Sequence, residues 1–253
     1  MTHFVIFITT ILFVSCKQPK EKLVELTGKQ IKINDSIQGV DSILAFVAPY
    51  GKHIDEVLDG QLAYAPKDIT KEDGRYNTSE ENLMADIVLE QANPIFESRT
   101  GKQIDFVLLN FGGIRSSISK GSVSTRTAYE VMPFENHIMV VELSGQSVRK
   151  LIGFLVKKQT AHPISGLQIV LDKNDSLQSV DIKGKPFDEN RHYYVATSNY
   201  LLGGGDNMVF FKEAFQVTDL DYFIRKAMID YFIKKDTITA AVDERFIKVN
   251  WVV

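Results

Sequence analysis

The fold of this chain is organised around an apolar run and the turn that follows it. Residues 104–109, Ile-Asp-Phe-Val-Leu-Leu, are too few for a helix and predict a buried strand. The next stretch, Asn110 to Arg115, reads Asn-Phe-Gly-Gly-Ile-Arg. It therefore lies at a strand's carboxyl end, where open α/β sheets bind ligands. Glycines allow close backbone approach, and the guanidinium of Arg115 matches phosphate or carboxylate. The hexapeptide predicts an anion-binding turn; the alternative is a tight turn with a solvated arginine.

Helical and strand patterns alternate on both sides of this turn. Helices are predicted on either side of Pro49 within residues 41–58, and then over residues 79–92, 146–157 and 219–235. Strands are predicted over residues 61–66, 137–143, 167–171, 193–197 and 246–251. This order of elements predicts an α/β fold.

Composition limits the class of protein. The chain has 253 residues, of which 44% are hydrophobic and 24% charged, and this suits a globular protein with a sizeable core. One large domain or two small ones would fit this length. The formal net charge of -3 and the lack of a basic block argue against a nucleic-acid-binding surface. A basic pocket for a single phosphate remains compatible with these values.

The amino-terminal residues predict export. Residues 4–14 form an apolar run too short to span a bilayer, and it ends at Ser15-Cys16. The pattern resembles a bacterial lipoprotein signal over residues 1–16, in which Cys16 is lipidated and anchors the protein to a membrane. An ordinary secretory signal or an uncleaved anchor is the alternative. Residues 17–22 are polar and predict a short tether. Cys16 is the single cysteine, so no internal disulfide is expected.

The sequence contains no recognisable catalytic or metal-binding pattern. Its five histidines are scattered singly, without the clustered His, Asp and Asn ligands that a two-metal hydrolase needs. No Gly-x-Ser-x-Gly elbow is present, and Gly203 to Gly205 lack the spacing of a dinucleotide fingerprint. We therefore expect no catalytic residue, metal site or cofactor in this chain. Recognition of a ligand is the remaining interpretation.

Four stretches together resemble a known family. They are Asn82 to Asp86 (Asn-Leu-Met-Ala-Asp), Asn110 to Arg115, Met132 to Asn136 (Met-Pro-Phe-Glu-Asn) and Ser198 to Asp206 (Ser-Asn-Tyr-Leu-Leu-Gly-Gly-Gly-Asp). In this order they resemble the C-terminal, nucleotide-binding domain of the 5′-nucleotidase family, over residues 23–253. The resemblance implies a single domain with a layered α/β/β/α sandwich. It also implies that divalent metals belong to a separate metallophosphoesterase domain rather than to this chain.

The resemblance assigns roles to individual residues. Phe134 and Tyr200 would stack on both faces of a base, and such stacking contributes about 1–3 kcal/mol per base. Asp206 would accept hydrogen bonds from the ribose hydroxyls, and Asn110 would contact the base edge. Arg115, together with Arg75 before the helix that contains Asn82, would contact phosphate. The full set of expected substrate-binding residues is Asn110, Gly112, Gly113, Arg115, Phe134, Tyr200, Gly204, Asp206 and Arg75.

Two functions follow as expectations. The first is a nucleotide- or nucleoside-binding specificity subunit of a split 5′-nucleotidase, which acts with a separate metallophosphoesterase chain in nucleotide catabolism. The alternative is a stand-alone envelope lipoprotein that binds nucleosides or nucleotides without hydrolase activity. Hydrolysis by this chain alone is disfavoured because the sequence shows no metal-ligand pattern.

Overall fold

The structure, a computed structural model, describes residues 25–34 and 36–249. Residue contacts divide the chain into two units, residues 1–48 and residues 49–253. In the first unit, the described residues before Asp41 form no helix or strand. The predicted signal over residues 1–16, the lipidation site Cys16 and the tether over residues 17–22 lie outside the described residues.

The described elements, numbered in chain order, alternate between helices and strands. They are α1 (Asp41–Leu58), β1 (Gln61–Ala65), α2 (Ser79–Thr100), β2 (Phe106–Leu108), β3 (Gly121–Ser124), α3 (Thr125–Val131), β4 (His137–Ser144), α4 (Gly145–Lys158), β5 (Ile164–Ser165), β6 (Leu167–Leu171), β7 (Leu177–Ile182), β8 (Lys185–Pro186), β9 (His192–Ser198), α5 (Asn199–Leu202), β10 (Gln216–Phe223), α6 (Ile224–Lys234) and β11 (Phe246–Lys248). Short 3-10 turns lie at Phe111–Gly113, Gly205–Asn207 and Val209–Glu213.

The strands form three sheets. The largest has the order β10-β4-β9-β2-β5, in which β2 runs parallel to β9 and the other neighbours are antiparallel. A four-stranded sheet has the order β11-β6-β7-β8, and β1 pairs with β3. The direction of the strands decides where loops meet. The carboxyl ends of β2 and β9 and the amino end of β4 lie at the same edge of the five-stranded sheet.

The five-stranded sheet separates two apolar cores because its side chains alternate between faces. On one face, Val107, Val140 and Ala196 belong to a core with residues of α2 and α6. On the other face, Phe106 and Val141 belong to a core with residues of α4 and of the four-stranded sheet. Helices and sheets therefore stack in layers, and the predicted α/β class is confirmed.

Helix α2 is longer than its pattern predicted. Its amino end is capped by Thr78, whose side chain accepts the Glu81 N–H, and its carboxyl end by Gly101 with φ of 70°. The predicted end at Ala92 was wrong because Pro94 lies inside the helix without ending it. The last turns are retained because Phe96 is buried, with its ring centroid 5.5 Å from that of Tyr194.

The predicted helix over residues 219–235 was also wrong in its first part. Residues Gln216–Phe223 form β10, which pairs antiparallel with β4, and only Ile224–Lys234 are helical. Pairing at the edge of the sheet satisfies the backbone groups of this segment and overrides its helical spacing. The short strands β3, β5, β7 and β8 were not predicted, since they are brief or largely polar.

Candidate functional site

The loops at the edge formed by β2, β9 and β4 enclose a cavity. Its volume is about 340 Å³. The lining residues are Asn110, Gly112, Gly113, Arg115, Phe134, Asn136, Tyr200 and Asp206. Asn110 and Arg115 follow β2, Phe134 precedes β4, and Tyr200 and Asp206 follow β9. The tertiary structure thus gathers seven of the nine predicted substrate-binding residues around one opening.

Asp206 lies at the centre of a hydrogen-bond network in this cavity. Its Oδ2 accepts from Asn110 Nδ2 at 2.7 Å, and its Oδ1 accepts from the Tyr200 hydroxyl at 3.0 Å. The hydrogen bond to Asp206, together with its negative charge, raises the pKa of Tyr200. Asp206 has φ of 52°, a left-handed conformation that aspartate tolerates better than most residues. Its carboxylate is therefore positioned by two donors before any ligand is bound.

The glycines before Asp206 bring the backbone close to side chains. Gly204 has φ of 89°, which favours glycine. A Cβ at Gly205 would lie 2.5 Å from Cε1 of Tyr200, so only glycine allows the ring to pack against this backbone. The glycines thus place the Tyr200 ring next to the carboxylate that its hydroxyl contacts. Gly204 adjoins the cavity through this turn but does not line it.

Two aromatic rings present their surfaces to the cavity. Phe134 is 42% exposed and Tyr200 is 45% exposed, although both are large hydrophobic side chains. A ring of this kind in a binding cavity can stack on a planar ligand. That the two rings cover opposite faces of one base stays a prediction.

The Arg115 guanidinium is available to a ligand. Arg115 is exposed, and among the described residues the one hydrogen bond of its guanidinium is from Nη1 to the Gly112 carbonyl at 3.4 Å. A guanidinium carries five N–H donors in a planar fork. Most of these donors can therefore bind an anion in the cavity.

Comparison with known proteins identifies the family. Residues 60–213 match the family model described as the 5′-nucleotidase, C-terminal domain. The chain belongs to this family. The matched range includes all four of the sequence stretches that resemble this family, Asn82 to Asp86, Asn110 to Arg115, Met132 to Asn136 and Ser198 to Asp206.

Individual relatives are similar over part of their length. A cell wall protein of Listeria monocytogenes is 27% identical, with 66% of this chain and 24% of the relative covered. Protein UshA of Escherichia coli is 33% identical, with 43% of this chain and 20% of the relative covered. The crystal structure of a 5′-nucleotidase precursor from Thermus thermophilus is 25% identical in sequence and has a TM-score of 0.68. The similarity covers 83% of this chain and 43% of the Thermus chain. The chain spans a quarter or less of these two curated relatives.

The first of the 5′-nucleotidase motifs, Asn82 to Asp86, has a structural role in this chain. Asn82 is buried and donates to Asn77 Oδ1 and to the Ala241 carbonyl. Both carboxylate oxygens of Asp86 accept from the Arg245 guanidinium, at 3.1 and 3.0 Å. The motif therefore fastens the segment before β11 to helix α2 and does not line the cavity.

Three residues that support the cavity were missed by the sequence analysis. Lys71 Nζ donates to the carbonyls of Phe111 and Ile114 at 2.9 Å each. His162 Nδ1 accepts the Phe111 N–H at 3.1 Å. Burial lowers the pKa of His162 to about 4, so the ring is neutral at pH 7 and can accept at Nδ1. Together these contacts hold the turn that bears Gly112 and Gly113.

The third supporting residue is Arg225 of α6. This buried side chain donates to the carbonyls of Met132 and Phe134 and forms an ion pair with Glu135. It thereby holds the loop that presents the Phe134 ring. Glu135 does not line the cavity, and its negative charge is compensated by Arg225.

The structure does not bring Arg75 to the cavity. Arg75 lines a separate depression of about 330 Å³ together with Tyr76, Asn77 and Asp243. Its Nη2 donates to Gln159 Oε1 at 3.2 Å. The role of Arg75 as a phosphate ligand stays a prediction that this position does not favour.

Residues 25–34 and 36–249 contain no group of three or more His, Cys, Asp or Glu side chains able to hold a metal ion. Within the same ranges, no helix has the length and apolar character needed to cross a membrane.

Proposed function

We propose that this protein is a nucleotide- or nucleoside-recognition subunit of a split 5′-nucleotidase. The metals for phosphate-ester hydrolysis would be held by a separate metallophosphoesterase chain. One observation carries the proposal: two half-exposed aromatic rings, a preorganised carboxylate and an available arginine surround the same cavity. Relatives named as 5′-nucleotidases support a nucleotide as the ligand.

The cavity suggests one arrangement of the ligand. A base would stack on Phe134 and Tyr200, and the ribose diol would donate to the Asp206 carboxylate. The phosphate would meet the Arg115 guanidinium. Stacking contributes about 1–3 kcal/mol per contact, and hydrogen bonds to charged groups about 1.5–3 kcal/mol each. Association costs at least about 4 kcal/mol, so we expect micromolar to millimolar affinity.

The cavity residues serve recognition rather than bond cleavage. Asp206 orients the sugar, and Arg115 neutralises the phosphate charge. Phosphate-ester hydrolysis has one of the largest uncatalysed barriers, and enzymes with two metals lower it by generating hydroxide and stabilising the displaced oxygens. No step of this kind is assigned to the side chains around this cavity.

Calorimetric titration of the full chain with adenosine, AMP and inorganic phosphate tests the ligand. The variant Asp206→Asn is preferred to alanine because asparagine tolerates the positive φ at this position. We expect binding of adenosine and AMP that weakens at least tenfold in Asp206→Asn, since a charged acceptor is lost. The matched control is Asp181→Asn on β7, outside the cavity. Equal binding by both variants, or no binding by the wild type, would contradict the proposal.

A second experiment separates a split enzyme from a stand-alone binding protein. The full chain is mixed with a metallophosphoesterase from the same genome, and complex formation and AMP hydrolysis with added divalent metal are measured. We expect a complex and faster hydrolysis. Asp206→Asn should slow the hydrolysis and leave complex formation unchanged. If this chain binds the nucleotide but forms no complex with the metallophosphoesterase, the stand-alone lipoprotein is the better description. Hydrolysis by this chain alone would contradict the division of roles.

We further propose that the protein is exported and anchored in the cell envelope through Cys16. The apolar run over residues 4–14 and the following Ser15-Cys16 support this location, and one relative is named a cell wall protein. Fractionation of cells tests the anchor. We expect Cys16→Ser to release the protein from the membrane fraction, whereas Ser15→Ala should leave it there. Equal membrane association of both variants would exclude a lipid on Cys16.

A further inference from the structure

A buried cluster of three ionisable side chains lies beneath the Asn110 to Arg115 turn. Glu80 and Glu81 lie in the first turn of helix α2 and are 1% and 0% exposed. Glu80 Oε1 and both carboxylate oxygens of Glu81 are buried and accept no hydrogen bond from a described residue. The remaining oxygen of Glu80 accepts from Ser117 Oγ at 3.3 Å. Two adjacent carboxyl groups with so few donors are costly to ionise.

Lys71 connects this carboxyl pair to the turn. Its Nζ lies 4.0 Å from Glu81 Oε1 and donates to the Phe111 and Ile114 carbonyls at 2.9 Å. The same ammonium lies 3.6 Å from the centroid of the Phe111 ring. It therefore contacts both ends of the segment that places Gly112 and Gly113 in the cavity wall.

The charge of the cluster changes near neutral pH. Burial, reinforced by the neighbouring Glu81, raises the pKa of Glu80 to about 8. Burial also raises the pKa of Glu81 to about 7, against the opposing effect of Lys71, and burial lowers the pKa of Lys71. The other charged groups that act on the cluster are Asp73, which opposes ionisation of both carboxyl groups, and Arg115, which acts on Lys71.

These pKa values determine how the net charge of the cluster changes as pH rises. With both carboxyl groups protonated, Lys71 gives the cluster a net charge of one positive unit, and with both ionised the net charge is one negative unit. The ammonium has three N–H donors, of which two serve the turn carbonyls. When Glu81 becomes a carboxylate, its attraction for Lys71 competes with those two carbonyls. Proton loss therefore draws the ammonium away from the turn and adds negative charge behind Arg115.

We propose that Lys71, Glu80 and Glu81 act as a proton-sensitive support for the Asn110 to Arg115 turn and make phosphate recognition depend on pH. Lys71 is a positioning residue, since it acts through Phe111 and Ile114 and does not line the cavity. Affinity for a phosphate-bearing ligand falls as pH rises through neutrality, whereas affinity for a nucleoside changes little. The part of this inference that concerns ligands rests on the proposed function.

The first test needs no ligand. Amide chemical shifts of residues 111–115 are followed by NMR in the full chain from pH 5.5 to pH 9. We expect a transition between pH 6.5 and pH 8.5 in the wild type and none in Glu80→Gln/Glu81→Gln. His162 does not interfere, because its pKa of about 4 lies below this range. Glu97→Gln, an exposed position on the same helix, is the matched control and should keep the transition. The inference would be overturned if the amide chemical shifts of residues 111–115 showed no pH transition, or if the double variant showed the same transition as the wild type.

Lys71 is tested in the same measurement. Lys71→Arg keeps the positive charge and the donors, so it should retain the transition, and Lys71→Met should abolish it. Glu81→Gln alone replaces the double variant if the latter folds poorly. A transition that persists in Lys71→Met would show that the carboxyl pair reaches the turn by another route and would overturn the role of Lys71.

The second test measures ligand affinity between pH 7 and pH 9, above the second phosphate pKa of about 6. We expect AMP affinity to fall about three- to tenfold in the wild type and less than about twofold in the double variant, because a charge change near Arg115 acts at short range. Adenosine affinity should stay constant. Equal losses for AMP and adenosine would contradict an effect on the phosphate. If neither ligand binds at any pH, the proposed function fails, and the NMR transition alone decides this inference.

Discussion

The rim of the cavity and the layer beneath it use polar side chains in different ways. The rim is defined as Asn110, Arg115, Phe134, Tyr200 and Asp206. All of these residues except the buried Asn110 are exposed, and Asn110 and Tyr200 donate to Asp206. The support layer, defined as Lys71, Glu80, Glu81, His162 and Arg225, lies behind the turn and the Phe134 loop. Four of its five side chains are more than 90% buried, and Lys71 is partly buried.

This difference in burial predicts that the rim contributes mainly to ligand binding and the support layer mainly to stability. Rim groups can exchange their mutual hydrogen bonds for bonds to a ligand at little cost, because water is close by. A buried ionisable group has no such alternative, and removal of its partner leaves an uncompensated charge or donor. We therefore expect rim variants to change affinity and support variants to change the free energy of unfolding.

Lys71→Met should have the largest effect. It leaves two turn carbonyls without their donor and removes the positive charge 4.0 Å from Glu81. We expect the free energy of unfolding at pH 8 to fall by about 2–4 kcal/mol. Urea denaturation measures this, with the exposed Lys120→Met as control. A loss no greater than that of the control would break the distinction between rim and support.

Phe134→Ala should affect binding instead. Loss of one stacking surface is expected to weaken adenosine binding by about 1–3 kcal/mol, or about 5- to 150-fold. The free energy of unfolding should change by less than about 1 kcal/mol, since the ring is 42% exposed. Phe215→Ala, at an aromatic residue that is 68% exposed, is the control for both measurements. The comparison fails if adenosine affinity is unchanged or if Phe134→Ala unfolds the protein.

The carboxyl pair should make stability depend on pH. Because the pKa values of Glu80 and Glu81 are raised from about 4.5 to about 8 and about 7, the folded state binds more protons than the unfolded state between these values. Stability therefore falls as pH rises from about 5 to about 8, and it does not change further above both values.

Glu80→Gln/Glu81→Gln should remove this fall in stability. We expect the double variant to be more stable than the wild type by about 1–2 kcal/mol at pH 8.5 and to differ little at pH 5. Urea midpoints at the two pH values provide the measurement, and Glu97→Gln is the control. The raised pKa values of Glu80 and Glu81 would be contradicted if the stability of the wild type rose between pH 5 and pH 8 and the double variant followed the same curve.

The smallest effect is expected for Arg75→Ala. Its side chain lines a different depression and contacts Gln159, so AMP affinity should change by less than about twofold, or about 0.5 kcal/mol. Arg115→Ala should weaken AMP binding by about 1.5–3 kcal/mol because a charged hydrogen bond to phosphate is lost. Similar losses in the two variants would place Arg75 in the binding site, as the family resemblance implied.

Strand patterns and the resemblance to the 5′-nucleotidase family together predicted the residues of the rim. Asn110 follows an apolar run that forms β2, and Tyr200 and Asp206 follow the run that forms β9. Strand ends at one edge of a sheet lie close together, so the loops that follow β2 and β9 meet. The resemblance, placed on these strand ends, therefore predicted which residues line the cavity, and their roles in binding stay predictions. Spacing along the chain also predicted helix α4 and strand β6 to within about two residues.

Other features could not be predicted from local patterns. Lys71, His162 and Arg225 act on backbone groups 40, 51 and 91 residues away, and no motif marks them. The predicted helix over residues 219–235 failed for the same reason. Its first part pairs with β4, about 80 residues earlier in the chain, and that pairing outweighs local helical spacing.

The sequence by itself determined the α/β class, because this class follows from the period of apolar residues, and its resemblance to the 5′-nucleotidase family indicated the residues of the rim. Only the tertiary structure decided that Arg75 lies apart from the cavity, that Asp206 is held by two donors and that a buried carboxyl pair reaches the turn through Lys71. These properties depend on burial and on distances between residues remote in sequence, which shift pKa values and select hydrogen-bond partners only when the chain is folded.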